Sequence, residues 1–91
     1  MSGDKFTCRC CGFKSFHEEA NGNYAICEVC FWEDDPSQAE NPDYEGGANP
    51  VSLRQAQKNF REVGASTRDM IGNVRKPNAD ELRDKDWKFL G

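Results

Sequence analysis

Leu53, Ala56, Phe60 and Val63 recur three or four positions apart, a spacing that places them along one face of a helix. The helix carries its own start and stop. Ser52 with Gln55 three residues later forms a capping box, Pro50 stands just ahead, and Gly64 supplies the C-terminal stop. Arg54, Lys58 and Arg61 fall on the opposite face. A weaker start, Asn78 with Glu81, follows Pro77 and predicts a second helix running into Leu82.

Upstream of Leu53 the helical period is missing. Phe6 to Phe16 reads as a turn with short flanking strands, and Asn21-Gly22-Asn23 is a turn signal that predicts a strand over Tyr24-Ala25-Ile26. Phe31-Trp32 is expected to pack as a local core. Residues 33–50, EDDPSQAENPDYEGGANP, hold six acidic residues, no basic ones, three prolines and a Gly-Gly pair, which predicts a long acidic loop, its Pro/Gly part over 36–50. The closing DWKFLG is too apolar for a free tail. Trp87, Phe89 and Leu90 are expected to dock on the domain or on another chain, which leaves the oligomeric state open.

Composition changes this picture by limiting the core. Ninety-one residues of which 36% are hydrophobic make one small domain, at a length where natural proteins often add a metal, disulfides or a partner. Met1 to Lys5 is polar and the longest purely apolar run is Val29-Cys30-Phe31-Trp32, so neither a secretion signal nor a membrane-spanning helix is expected. The expected compartment is the cytoplasm, where clustered cysteines bind metal or react more often than they cross-link.

There are five cysteines, and four of them form two knuckles. Cys8-x-x-Cys11-Gly12 and Cys27-x-x-Cys30 together read C-x2-C-x15-C-x2-C, within the spacing of zinc ribbons. Two residues between thiols make a tight turn that aims both sulfurs at one point, about 2.3 Å from a tetrahedral zinc. Gly12 suits a positive φ after the second ligand. The expected cofactor is one structural Zn2+ on Cys8, Cys11, Cys27 and Cys30, with iron chemically compatible with the same donors. Cys10 is the surplus thiol, read as a side chain facing away from the metal, as a redox-sensitive thiol or as a replacement for Cys8. His17-Glu18-Glu19 matches part of a zinc-deaminase signature, but the seven residues from Glu19 to Cys27 are too few to build that site. His17 is therefore read as a loop residue.

Charge is uneven along the chain. Residues 1–50 hold three basic and ten acidic residues, residues 51–91 nine and six, within a net charge of −4. The first half is a poor electrostatic candidate for nucleic acid and the second a modest one. The resulting fold class is small α+β: zinc-ribbon or rubredoxin-knuckle hairpins over 1–35, the acidic loop, and a helical part over 51–91 with one or two helices.

The stretches CRCCGF, YAICEVCFWEDD, GGAN, SLRQAQKNFREVGAS and VRKP together resemble the cysteine-rich CPCC family of small, mostly bacterial proteins and domains. Arg9 takes the place of the proline that names the family, and Glu28 that of a proline usual before the second Val-Cys. Both lie between ligands. The resemblance implies a zinc-ribbon-like or rubredoxin-knuckle domain and brings no enzymatic activity with it. It marks FWEDD and GGAN as motifs beyond the ligands, so that Trp32, Glu33, Asp34 and Asp35 either form a site or brace the loop.

Three functions compete. The first is a non-enzymatic protein-interaction module that offers Trp32, Glu33, Asp34, Asp35, Asp43 and Glu45 to a partner with a basic surface; an immunity protein that neutralises a toxin is one form of it. The second is nucleic-acid binding through Arg54, Lys58 and Arg61. The third is thiol redox chemistry or metal sensing through Cys10. Catalysis is least favoured, because the chain has one histidine, no nucleophile and base pair, and no phosphate loop.

Overall fold

The computed structural model describes residues 5–91, so the first four residues of the expected knuckle part, Met1–Asp4, lie outside the described residues. The elements are few and short. Strands β1 (Phe6–Thr7) and β2 (Lys14–Phe16) form an antiparallel hairpin, followed by helices α1 (Pro36–Glu40) and α2 (Leu53–Val63) and a 3-10 helix over Arg68–Asn73. This is a small α+β arrangement. Its core is made largely of sulfur: Cys8, Cys10, Cys11, Cys27 and Cys30 are buried with Phe16, Val29, Trp32, Leu53 and Ala56.

Helix α2 forms where its spacing places it. The Ser52 hydroxyl accepts from the Gln55 N–H at 3.1 Å, and Gly64, at φ 81°, donates to the Phe60 carbonyl at 2.9 Å. Only half of the capping box is made, because the Gln55 amide turns along the helix to Asn59 at 3.0 Å. Leu53 and Ala56 are buried and Phe60 packs at the edge of the core. Gln57 is buried as well. Its Nε2 donates to the Arg9 carbonyl at 2.8 Å and its Oε1 accepts from the Leu90 N–H at 2.7 Å, so it joins the first knuckle to the closing segment.

Three expectations need correction. Tyr24-Ala25-Ile26 is no strand but a stretch with one bridge, Ile26 to Glu33. The acidic loop is interrupted by α1, which Asp35 caps by accepting from the Ser37 N–H at 2.8 Å, with Pro36 in the first turn. No helix starts at Asn78. Its N–H does donate to the Glu81 carboxylate at 2.7 Å, as in a capping box, but Arg75 and Lys5 also claim that carboxylate and the chain continues extended. Leu82 to Asp84 then lies along Gly12 to Lys14, through Lys14 N–H to Leu82 carbonyl and Asp84 N–H to Gly12 carbonyl, at 2.9 and 2.7 Å.

The closing segment docks on its own domain. Lys5, Thr7 and Arg9 meet Glu81, Asp84 and Trp87 in turn: Nζ to carboxylate at 3.0 Å, hydroxyl to carboxylate at 2.6 Å, and indole Nε1 to the Arg9 carbonyl at 2.7 Å.

Candidate metal centre

The two knuckles share one backbone design. Gly12 N–H donates to the Cys8 carbonyl at 2.9 Å, and Phe31 N–H to the Cys27 carbonyl at 2.7 Å. Each first cysteine in turn donates its N–H five residues on, Cys8 to Phe13 at 3.0 Å and Cys27 to Trp32 at 2.9 Å. Gly12 and Phe31 are both left-handed, at φ 80° and 70°. The turn reverses the chain within five residues and leaves both thiols of each knuckle on its inner side.

The sulfurs of Cys8, Cys11, Cys27 and Cys30 consequently converge, all within 4.8 Å of one another and all buried. Cys8 lies 3.6 Å from Cys30, and Cys11 lies 3.8 Å from Cys27. A tetrahedron of metal–sulfur bonds of about 2.3 Å has edges of about 3.8 Å, so the four donors fit a single tetrahedral ion. All five cysteines are free thiols, and the closest of these sulfur pairs lie well beyond the about 2.05 Å of a disulfide bond. Cys10 is fully buried yet is not one of the four converging sulfurs.

Burial gives these thiols a charge problem that a cation solves. Donation from Cys11, and then from Cys30 and Cys8, draws Cys27 well below the ordinary thiol range, while burial pushes Cys8 and Cys30 well above it. Burial likewise raises Cys10. A divalent ion at the point where the sulfurs converge would favour the thiolate form of its ligands. The Ser15 hydroxyl, on β2, adds a donor to the Cys27 sulfur at 2.9 Å. Sequence reasoning passed over Ser15, and its only signal is the position four residues beyond Cys11.

The proposed interaction residues divide in two. Trp32, Asp34 and Asp35 are interior, which corrects their reading as a surface. Asp34 accepts from Gly22 and Asn23 N–H at 2.8 and 3.3 Å, with Arg9 3.8 Å from its other oxygen. Asp35 accepts from Ala48 N–H at 2.7 Å and is held below the usual carboxylate range, first by the Ser37 hydroxyl and then by that amide. Glu33 is half-buried, with its backbone N–H and carbonyl both paired to the Asn49 amide at 2.8 Å. FWEDD and GGAN therefore hold each other in place.

Gln38 completes the brace. Its amide donates to the Tyr44 and Val51 carbonyls at 3.1 and 2.9 Å and accepts from the Asn49 side chain at 2.8 Å. No pattern in the polar loop pointed to Gln38, and Asn49 was marked only as the last residue of GGAN. Asp43 and Glu45 remain exposed, although Asp43 is paired with Arg54 at 2.7 Å. On the opposite-charge face Lys58 and Arg61 are exposed, whereas Arg54 is committed to Asp43 and to the Leu90 carbonyl.

A sequence model of the family described as cysteine-rich CPCC matches residues 6–81, a span that contains all five cysteines and both bracing motifs. No curated protein matches the chain.

Proposed function

The chain belongs to the cysteine-rich CPCC family, and from that membership and the converging thiols we propose that it is a non-enzymatic interaction module whose fold is held by one structural zinc ion. The closure of the site carries this reading. Four buried sulfurs would complete the tetrahedral shell of one ion and leave it no position for water or substrate. Zinc suits four soft thiolates, as in zinc ribbons, and iron is the competing ion for the same donors. Five free thiols suit a reducing compartment such as the cytoplasm. Among the described residues, no helix is long and apolar enough to cross a membrane.

The partner surface follows from what the brace leaves outside. Glu40, Tyr44 and Glu45 are exposed around the braced loop, with Asp43 beside them paired to Arg54, a rim suited to a basic protein surface. Neutralising a toxin with a basic active site is the form of this role that small size and acidic charge favour. The competing readings draw less support: Arg54 is already engaged, and Cys10 is 0% exposed with its thiol pushed up by burial.

Native mass spectrometry of protein expressed without added metal tests the proposal. One zinc per chain, lost together with the fold in Cys27→Ser, is the expected result. A folded, metal-free chain would overturn it.

A further inference from the structure

Four of the six arginines are spent on carboxylates: Arg9 with Asp34 at 3.8 Å, Arg54 with Asp43 at 2.7 Å, Arg68 with Glu62 at 3.5 Å, and Arg75 with Glu28 and Glu81 at 3.0 and 2.6 Å. Arg61 and Arg83 are held in another way. The Arg61 guanidinium lies 4.2 Å above the Phe89 ring, and that of Arg83 lies 4.6 Å from the Phe13 ring and 5.2 Å from the Trp87 ring. Both arginines are exposed, and among the described residues neither has a carboxylate within 4.0 Å. The two platforms lie near each other in the chain: Phe13 meets Phe60 edge-on at 6.3 Å, Phe60 precedes Arg61 on α2, and Trp87 and Phe89 stand two residues apart in the closing segment.

A guanidinium stacked on a ring keeps its N–H edges free and loses little further side-chain entropy when those edges are used. Its fork matches a carboxylate in two parallel hydrogen bonds. Arginine beside phenylalanine and tryptophan is also the composition enriched at the centre of protein interfaces. We propose that Arg61 and Arg83 together dock a protein partner that presents carboxylates to their free edges. The alternative ligand, a nucleic-acid backbone, is disfavoured by the net charge of −4, whose repulsion accumulates over many phosphates but little over local carboxylates. This goes beyond the function proposed above, since it concerns another face and the opposite charge, and it stands whether or not the acidic rim binds anything.

The test is a titration of the metal-loaded chain with hexaglutamate at low salt, following Trp87 emission and the arginine Nε–Hε resonances, with oligothymidylate in parallel. The expected result is saturable movement of the Arg61 and Arg83 resonances with hexaglutamate. Those of Arg54 and Arg75 stay in place, and affinity falls at least tenfold in Arg61→Gln/Arg83→Gln of unchanged metal content. No binding at millimolar peptide, binding untouched by the double substitution, or tighter binding of oligothymidylate through the same arginines would each overturn the proposal.

Discussion

Gly12 and Phe31 occupy the same place in two superposable turns, each left-handed and each donating its N–H to the carbonyl of the first cysteine of its knuckle. The glycine does this without strain, whereas a residue with a Cβ meets its own carbonyl there at a cost of about 1–2 kcal/mol. The two knuckles therefore have the same geometry with unequal backbone strain.

Exchanges at these two positions are expected to behave oppositely. In Gly12→Ala the new Cβ would sit 2.6 Å from the Trp87 ring as well as at φ 80°, so the closing segment must lift. We expect a loss of about 2 kcal/mol or more, a red shift of Trp87 fluorescence and retained metal. Phe31→Gly releases strain while giving up half-buried packing, and its denaturation midpoint should stay within about 1 kcal/mol of the parent.

Removing the ion should unfold the domain. A strong chelator, or Cys8→Ser, Cys11→Ser, Cys27→Ser or Cys30→Ser, is expected to abolish cooperative unfolding, since structural zinc contributes about 10–16 kcal/mol. Cys10→Ser should keep full metal stoichiometry, because Cys10 is not one of the converging sulfurs. Metal analysis beside circular dichroism checks both.

Ser15→Ala removes the hydroxyl that reaches the Cys27 sulfur at 2.9 Å. The fold should persist, with metal affinity lowered about tenfold or more, in the range found for donors that support metal ligands. In the cobalt-substituted protein the sulfur-to-metal charge-transfer band should shift. An unchanged band and affinity would show that this hydroxyl leaves the thiolate's electronic structure alone.

Gly47→Ala would press a Cβ against the Asp35 carboxylate and the Gln38 side chain. The brace between residues 33–35 and 47–49 should open. Faster proteolysis within residues 36–50, with the metal still bound, is the expected outcome.

Glu81 supplies a pH signature. Hydrogen bonds from Arg75, then the Asn78 N–H and Lys5, outweigh the cost of burial and hold its carboxyl at about 2, below the ordinary 4.5. A depressed carboxyl contributes stability that is complete above its unfolded pKa and lost as pH falls through the folded one. With Arg75 34% exposed, the contribution is set at about 2 kcal/mol. The difference in denaturation midpoint between the parent and Glu81→Gln should hold from pH 8 to 5 and narrow below about 4.5 for as long as the metal stays bound.

The converging cysteines and α2 were legible because spacing alone encodes them: two residues between thiols make a turn, and apolar residues three or four apart make a face. Asp34 and Asp35 were misplaced for a physical reason. Carboxylates in a polar run ordinarily face water, but here backbone N–H groups of Gly22, Asn23, Ser37 and Ala48 draw them inward. The Asn78 to Glu81 signal was locally correct and globally outvoted, since Arg75 and Lys5 recruit the same carboxylate. Gln38 and Asn49 act through partners six to sixteen positions away, beyond any helical or strand period.

The docking of Trp87 over the first knuckle also sets an order of events during synthesis. Both pairs of cysteines are synthesised well before the segment that docks on the first of them, and the stretch from Cys30 to Trp87 takes on the order of 3–11 s to translate at 5–20 residues per second. During that interval the thiols of the first knuckle lack their Trp87 cover. Once the indole closes on Gly12 and the Arg9 carbonyl, the first knuckle is held by a segment that did not exist when its thiols were made.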